Sequence, residues 1–156
     1  MEPAKWDSSG EAWTTTVECP AYGAINVVIK TDGEMFPPSE KQLAAVALIA
    51  GLRQSARETI RKDVNRYAKE YLGEEELEDF ESEDFDVVFD FALIPNLRAA
   101  RNAYFFLSGE SDIDMEHGIA CLCREGDAFR VCHTDLMYEN HPCDDTDTFD
   151  EFLRGG

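Results

Sequence analysis

Between Pro37 and Gly73 the chain reads as helix, and on both sides of that stretch it alternates as strands do. Pro37, Pro38 and Ser39 announce the start, with Ser39 as N-cap and Gln42, three residues on, as the reciprocal partner of a capping box. Leu43, Val46, Ala47 and Ala50 then keep one helical stripe, and beyond Gly51 a second runs through Ala56, Ile60, Val64, Tyr67 and Tyr71. Two helices, or one bent helix, therefore end at Gly73.

Before the helices, Trp13, Thr15 and Val17 oppose Thr14 and Thr16, and Ala24 to Lys30 is rich in β-branched residues, so the segments around Pro20 to Gly23 form a hairpin. After them, Phe85, Val87, Phe89, Phe91 and Leu93 alternate with Asp84, Asp86 and Asp90, the pattern of a half-buried strand, with a helix from Glu74 to Phe80 as a possible lead-in. Tyr104 to Leu107 reads as a buried strand, Ser108 to Asp114 as a loop, and Gly118 to Arg124 with Ala128 to Thr134 as a hairpin turning at Gly126. Phe149, Phe152 and Leu153 share one face of a C-terminal helix. A length of 156 residues with 44% hydrophobic residues suits one compact domain. The expected class is α+β over residues 1–156, antiparallel strands flanking a central helical pair, with an acidic segment at 74–90 and an acidic tail from Asp144.

Thirty-three acidic against 14 basic residues leave a net charge of −19, which disfavours direct binding to nucleic acid or to an anionic membrane surface and favours a basic protein partner. The charge is segregated. Lys41, Arg53, Arg57, Arg61, Lys62, Arg66 and Lys69 lie on the helical stretch, whereas residues 74–90 carry ten acids among seventeen and no base. The Arg53, Arg57 and Arg61 stripe could grip an anion, but carboxylates of the same chain are abundant enough to neutralise it. A low lysine content beside many acids is also what a salt-adapted proteome produces.

No apolar run approaches the roughly 18 residues of a bilayer span, and the beginning Met1, Glu2, Pro3 lacks the basic and apolar regions of a secretory leader. Five cysteines (Cys19, Cys121, Cys123, Cys132, Cys143) form an odd set that suits reduced thiols, so a cytoplasmic setting is expected.

Two constellations carry chemistry. Asp114, Glu116 and His117 stand before Gly118, where a carboxylate could orient an imidazole for acid–base work, or where His117 could simply bond backbone at a strand entrance. Cys121, Cys123, Cys132 and His133, with His141 and Cys143 beyond, could supply tetrahedral zinc ligands, although no pair has the two-residue spacing of a zinc knuckle. An inward apolar face explains the alternation of Ile119, Cys121 and Cys123 equally well. No nucleophile elbow, phosphate loop or metalloprotease motif occurs, so neither an enzyme class nor a cofactor is read from the sequence. Leu153-Arg154-Gly155-Gly156 is similar to the conjugating tail of ubiquitin over four residues only.

Taken in order, Ser39, Gln42, Ile60, Val64, Tyr67 and Tyr71, then Ile94 and Pro95, then Asp114, Met115, Glu116, His117, Gly118, Gly126 and Asp135 resemble the pattern of a group of uncharacterised bacterial domains, over roughly Ala24 to Tyr138. Some of that group are suspected immunity proteins of toxin systems. The resemblance implies a toxin-neutralising role and transfers no catalytic residue. The acidic 74–90 segment and the cysteine-rich hairpin depart from the pattern.

The leading expectation is a non-enzymatic binding protein that meets a basic protein partner through Glu74, Glu75, Glu76, Glu78, Asp79, Glu81, Glu83 and Asp84. The alternatives are an enzyme or metal protein centred on Asp114, Glu116 and His117, and an acidic mimic of nucleic acid. Oligomeric state is not legible.

Overall fold

The computed structural model describes residues 3–77, 85–97, 100–139 and 146–155, with the backbone alone for 74–77. In chain order the elements are β1 (Lys5–Asp7), β2 (Ala12–Cys19), β3 (Gly23–Ile29), α1 (Glu40–Ala50), α2 (Gln54–Leu77), β4 (Phe91–Ile94), β5 (Tyr104–Ser111), β6 (Asp114–Arg124), β7 (Ala128–Cys132), α3 (Thr134–Tyr138) and α4 (Thr146–Leu153). All seven strands join one sheet in sequence order. Every neighbouring pair is antiparallel except β3 and β4, which run parallel because the helical pair carries the chain back between them. The protein is thus α+β with a mostly antiparallel sheet. α1 and α2 pack on that single sheet, not between two sets of strands.

The capping box forms as its spacing predicts. Ser39 Oγ accepts from the Gln42 amide at 3.2 Å, and Gln42 Oε1 accepts from the Ser39 amide at 3.0 Å. Gln42 is buried, and its Nε2 donates to the carbonyls of Lys30 at 2.7 Å and Pro95 at 3.1 Å. One side chain therefore caps α1 and ties it to the ends of the two parallel strands. Ala45, Val46, Ile49, Ile60, Val64 and Ala68 then pack against Ile25, Val27, Ile29, Phe105, Ile119 and Cys121 on one sheet face. The opposite face buries Leu93, Tyr104, Phe106, Ala120 and Leu122 beneath Met137 of α3 and Phe149 of α4.

Two sequence expectations are corrected. The alternation from Phe85 to Leu93 does not stay on one face. Val87 and Phe89 join the helix-covered core, as do Ala92 and Ile94, whereas Leu93 lies in the core on the other face. The phase slips near Asp90, so the ladder proper begins only at Phe91. The expected loop from Ser108 to Asp114 is mostly strand, since β5 runs to Ser111. Gly109 permits this close approach, because a Cβ there would lie 2.5 Å from the Val88 carbonyl. The helix stops at Gly73 as expected, since that residue leaves helical geometry at φ 73° and ψ 172°; the lead-in helix expected at 74–80 follows the break and is described as far as Leu77, with residues 78–84 outside the described residues.

α4 is held by charge as well as by Phe149. Asp150 Oδ1 accepts from the Tyr104 hydroxyl at 2.6 Å and from Arg124 Nη1 at 2.8 Å. Burial would raise the Asp150 carboxyl, but these two donors outweigh it and hold the group below its ordinary value. A depressed native pKa stabilises the fold at pH values above the unfolded one, and the contribution is lost as pH falls through the native value. Asp150→Asn should therefore cost about 1–2 kcal/mol at neutral pH and progressively less on acidification, measured as urea midpoints across pH. A penalty that stays constant with pH would show that charge plays no part.

Candidate functional site

The hairpin of β6 and β7 turns at Glu125 to Asp127, with Gly126 at φ 88° and Asp127 at φ 58°, so Cys132 at the end of β7 pairs with Ala120 and β6 runs on past it toward Asp114. At that end the chain needs a second device. Ser111 pairs with Asp114 across a register shift, and Gly118 adopts φ 73° against Gly109, folding Asp114 to Gly118 into a bulged turn. The Asp114 carboxylate closes this turn by accepting the His117 amide at 3.1 Å. β7 is an edge strand, and α2 covers its exposed backbone. Asp63 Oδ2 accepts the Val131 amide at 2.6 Å and Arg66 Nη2 donates to the Val131 carbonyl at 3.2 Å. The same helix, one to two turns on, brings Tyr71 over the bulge.

The result is a compact polar cluster. His117 Nδ1 lies 3.2 Å from both Asp114 oxygens, and Tyr71 Oη donates to Oδ2 at 3.3 Å. His133 Nε2 approaches Oδ2 at 3.4 Å, and the two imidazole rings are 5.2 Å apart at 51°. Asp114 is buried, with 6% of its side chain exposed, whereas 51% of His117 and 32% of His133 reach solvent. Burial pushes the Asp114 carboxyl up, but the His117 amide and ring and the Tyr71 hydroxyl prevail and hold it below the ordinary carboxylate value. His133 is also the N-cap of α3, its Nδ1 accepting the Asp135 amide at 3.1 Å with Asp135 Oδ2 3.4 Å away. Tyr67 stacks on Tyr71 at 5.6 Å, and burial pushes its hydroxyl up to about 12.

The fold regroups the residues singled out in the sequence. Asp114 and His117 come together as expected; Glu116 is exposed and stands outside the cluster. The cysteines divide. Register places Cys121 opposite Val131 and Cys132 opposite Ala120, so Cys121 and Cys123 face the helix-covered core while Cys132 faces the other. Cys121 and Cys123 are 3.9 Å apart and buried, and burial raises the Cys121 and Cys132 thiols away from the thiolate that binds metal. The zinc set of Cys121, Cys123, Cys132 and His133 is therefore not assembled. His133 joins Asp114 instead, and Tyr71, which the helical stripe marked only as core, completes the group. Among the described residues this trio of Asp114, His117 and His133 is the group spaced for an ion. A cavity of about 430 Å³ lies elsewhere, between the α1–α2 joint and the β6–β7 turn, lined by Gly51, Arg53, Phe105, Arg124, Asp127 and Phe129 among others.

Two members of the arginine stripe pair within the chain, Arg57 with Asp86 at 2.8 Å and Arg61 with Glu58 at 3.6 Å, while Arg53 is exposed; further along α2, Arg66 pairs with Asp63 at 2.6 Å and Glu70 at 2.7 Å. Of the expected partner-binding acids, Glu78, Asp79, Glu81, Glu83 and Asp84, and the side chains of Glu74, Glu75 and Glu76, lie outside the described residues. Near the His cluster, however, Glu110, Asp112, Glu116, Asp135 and Glu139 are all exposed on the segments that build it. Three large apolar side chains are exposed on the same segments: Met115 at 85%, Tyr138 at 68% and Tyr71 at 48%. Among the described residues no helix is long and apolar enough to cross a membrane. Compared with family models, with curated proteins and with solved structures, the chain matches none.

Proposed function

We propose that this chain is an acidic binding protein that captures a basic protein partner at the end of the sheet where β5, β6 and α3 meet. The observation that carries the reading is that Met115 and Tyr138 are exposed on segments that carry carboxylates and no Lys or Arg, residues 102–123 and 131–153, with the exposed Tyr71 of α2 bonded to Asp114 of the first segment. Tyr and Met are enriched as interface anchors, and a ring of one charge steers an oppositely charged partner toward them. Arg66 of α2, which reaches the Val131 carbonyl, is itself paired with Asp63 and Glu70. Glu74 to Asp84 follow Tyr71 closely in the chain and extend the same acidic character in sequence. Within this reading, the resemblance to suspected immunity proteins narrows the partner to a basic toxin neutralised in the cytoplasm.

The test compares the full chain with a variant carrying Glu110→Lys, Asp112→Lys, Glu116→Lys and Glu139→Lys, both immobilised against native lysate at low and high salt. The unaltered chain should capture a basic protein that high salt releases, and the variant should associate about tenfold or more slowly. Met115→Ala with Tyr138→Ala should speed release without changing the salt dependence. Capture that ignores both sets of substitutions would sink the proposal.

A further inference from the structure

We infer that Asp114, His117 and His133 form a binding site for a divalent transition-metal ion, with zinc the best fit. The inference stands apart from partner binding and rests on spacing and donor type. In a tetrahedral site with metal–ligand bonds of about 2.0–2.1 Å, neighbouring ligand atoms sit about 3.3 Å apart, whereas a good N–H···O bond is about 2.9–3.0 Å. His117 Nδ1 and His133 Nε2 stand 3.2 and 3.4 Å from Asp114 Oδ2, at the ligand-edge spacing and long for hydrogen bonds. The candidate ligand atoms all fall within 4.8 Å of one another, so closing the set needs only a small shift of the half-exposed His117 ring.

The surroundings fit a metal in the second respect, the outer partners that orient ligands. Tyr71 Oη bonds the Asp114 carboxylate, and Asp135 Oδ2 sits 3.4 Å from His133 Nδ1. Protons balance without net release from neutral rings. The ion takes the His117 Nδ1 and His133 Nε2 positions, so His117 carries its proton on Nε2 and His133 on Nδ1, where Asp135 accepts it. His133 then gives up the Asp135 amide, loosening the cap of α3. Two imidazoles and one carboxylate leave a fourth position for water, the arrangement of zinc sites that act chemically.

Chelator-treated full-length protein is titrated with Zn²⁺ by calorimetry and with Co²⁺ by visible absorption. One equivalent of each should bind, with the intense d–d bands of tetrahedral Co²⁺ and no thiolate charge-transfer band. His117→Ala, exposed enough to leave the fold intact, and His133→Asn, which keeps an N-capping side chain, should each weaken binding at least 100-fold. Asp135→Asn should weaken it about tenfold while leaving stoichiometry unchanged. Urea midpoints of the apo variants establish that each is folded. Absence of stoichiometric binding, binding retained in the His117→Ala, His133→Asn double variant, or a thiolate band would overturn the site.

Discussion

Gly118→Ala is expected to lower the free energy of unfolding by about 2–4 kcal/mol and to scatter the His cluster. Two independent penalties meet at this position. The φ of 73° is left-handed, costing an L side chain about 1–2 kcal/mol. The added Cβ would also lie 2.5 Å from the Gly109 carbonyl oxygen, which belongs to the paired strand and cannot swing aside as a side chain would. Either β5 and β6 separate or the bulge opens, and both carry His117 away from Asp114. Gly126→Ala provides the internal control. Its φ is 88°, yet nothing lies within 4 Å of the site of its Cβ, so it should pay the conformational cost alone. Urea midpoints should therefore fall by clearly more for Gly118→Ala than for Gly126→Ala; equal losses would show that the close approach to Gly109 is unimportant.

Phe149→Ala should cost about 3–5 kcal/mol, the range for removing a fully buried aromatic ring. Phe149 is wholly buried and is the one fully enclosed side chain of α4. Its ring meets Tyr104 at 5.5 Å and, edge to face, Phe106 at 5.5 Å. Without it the outer core over Phe106, Ala120 and Leu122 is uncovered, and an eight-residue helix has little intrinsic stability with which to stay in place. Phe152→Ala, which removes a half-buried ring 4.9 Å beneath the Arg130 guanidinium, should cost less than half as much. Amide exchange in α4 should accelerate in Phe149→Ala before the sheet responds. A loss below about 1 kcal/mol would mean that α4 docks independently of the cooperative core.

Both effects illustrate where the sequence was readable. The Ser39–Gln42 box, the positive-φ turn at Gly126 and the single face of Phe149, Phe152 and Leu153 involve residues within one or two turns of chain, where spacing alone sets geometry. The slip near Asp90 was not readable. Every second residue from Phe85 to Leu93 is apolar, and only the sheet, covered on both faces, lets such a run change sides and remain buried. The cysteines failed similarly, because a one-residue difference in hairpin register moves Cys132 from the face of Cys121 to the opposite one.

The candidate site divides along the same line. Asp114, His117 and Gly118 were visible as a unit because a carboxylate three residues before an imidazole and a glycine describes a local turn. His133 carried no signal toward Asp114, since its neighbours are cysteine, threonine and Asp135, and Tyr71 looked like one more member of an apolar stripe. The chain by itself determined the class of fold, the start of α1, the β6–β7 hairpin and the strongly acidic balance, since each follows from composition or from spacing within a few residues. Only the tertiary structure decided that β4 lies parallel to β3, that the thiols are divided between two cores, and that two histidines from different strand ends meet one buried carboxylate beneath Tyr71. Those outcomes depend on register and on the packing of α2 across the sheet, long-range quantities that no local pattern encodes.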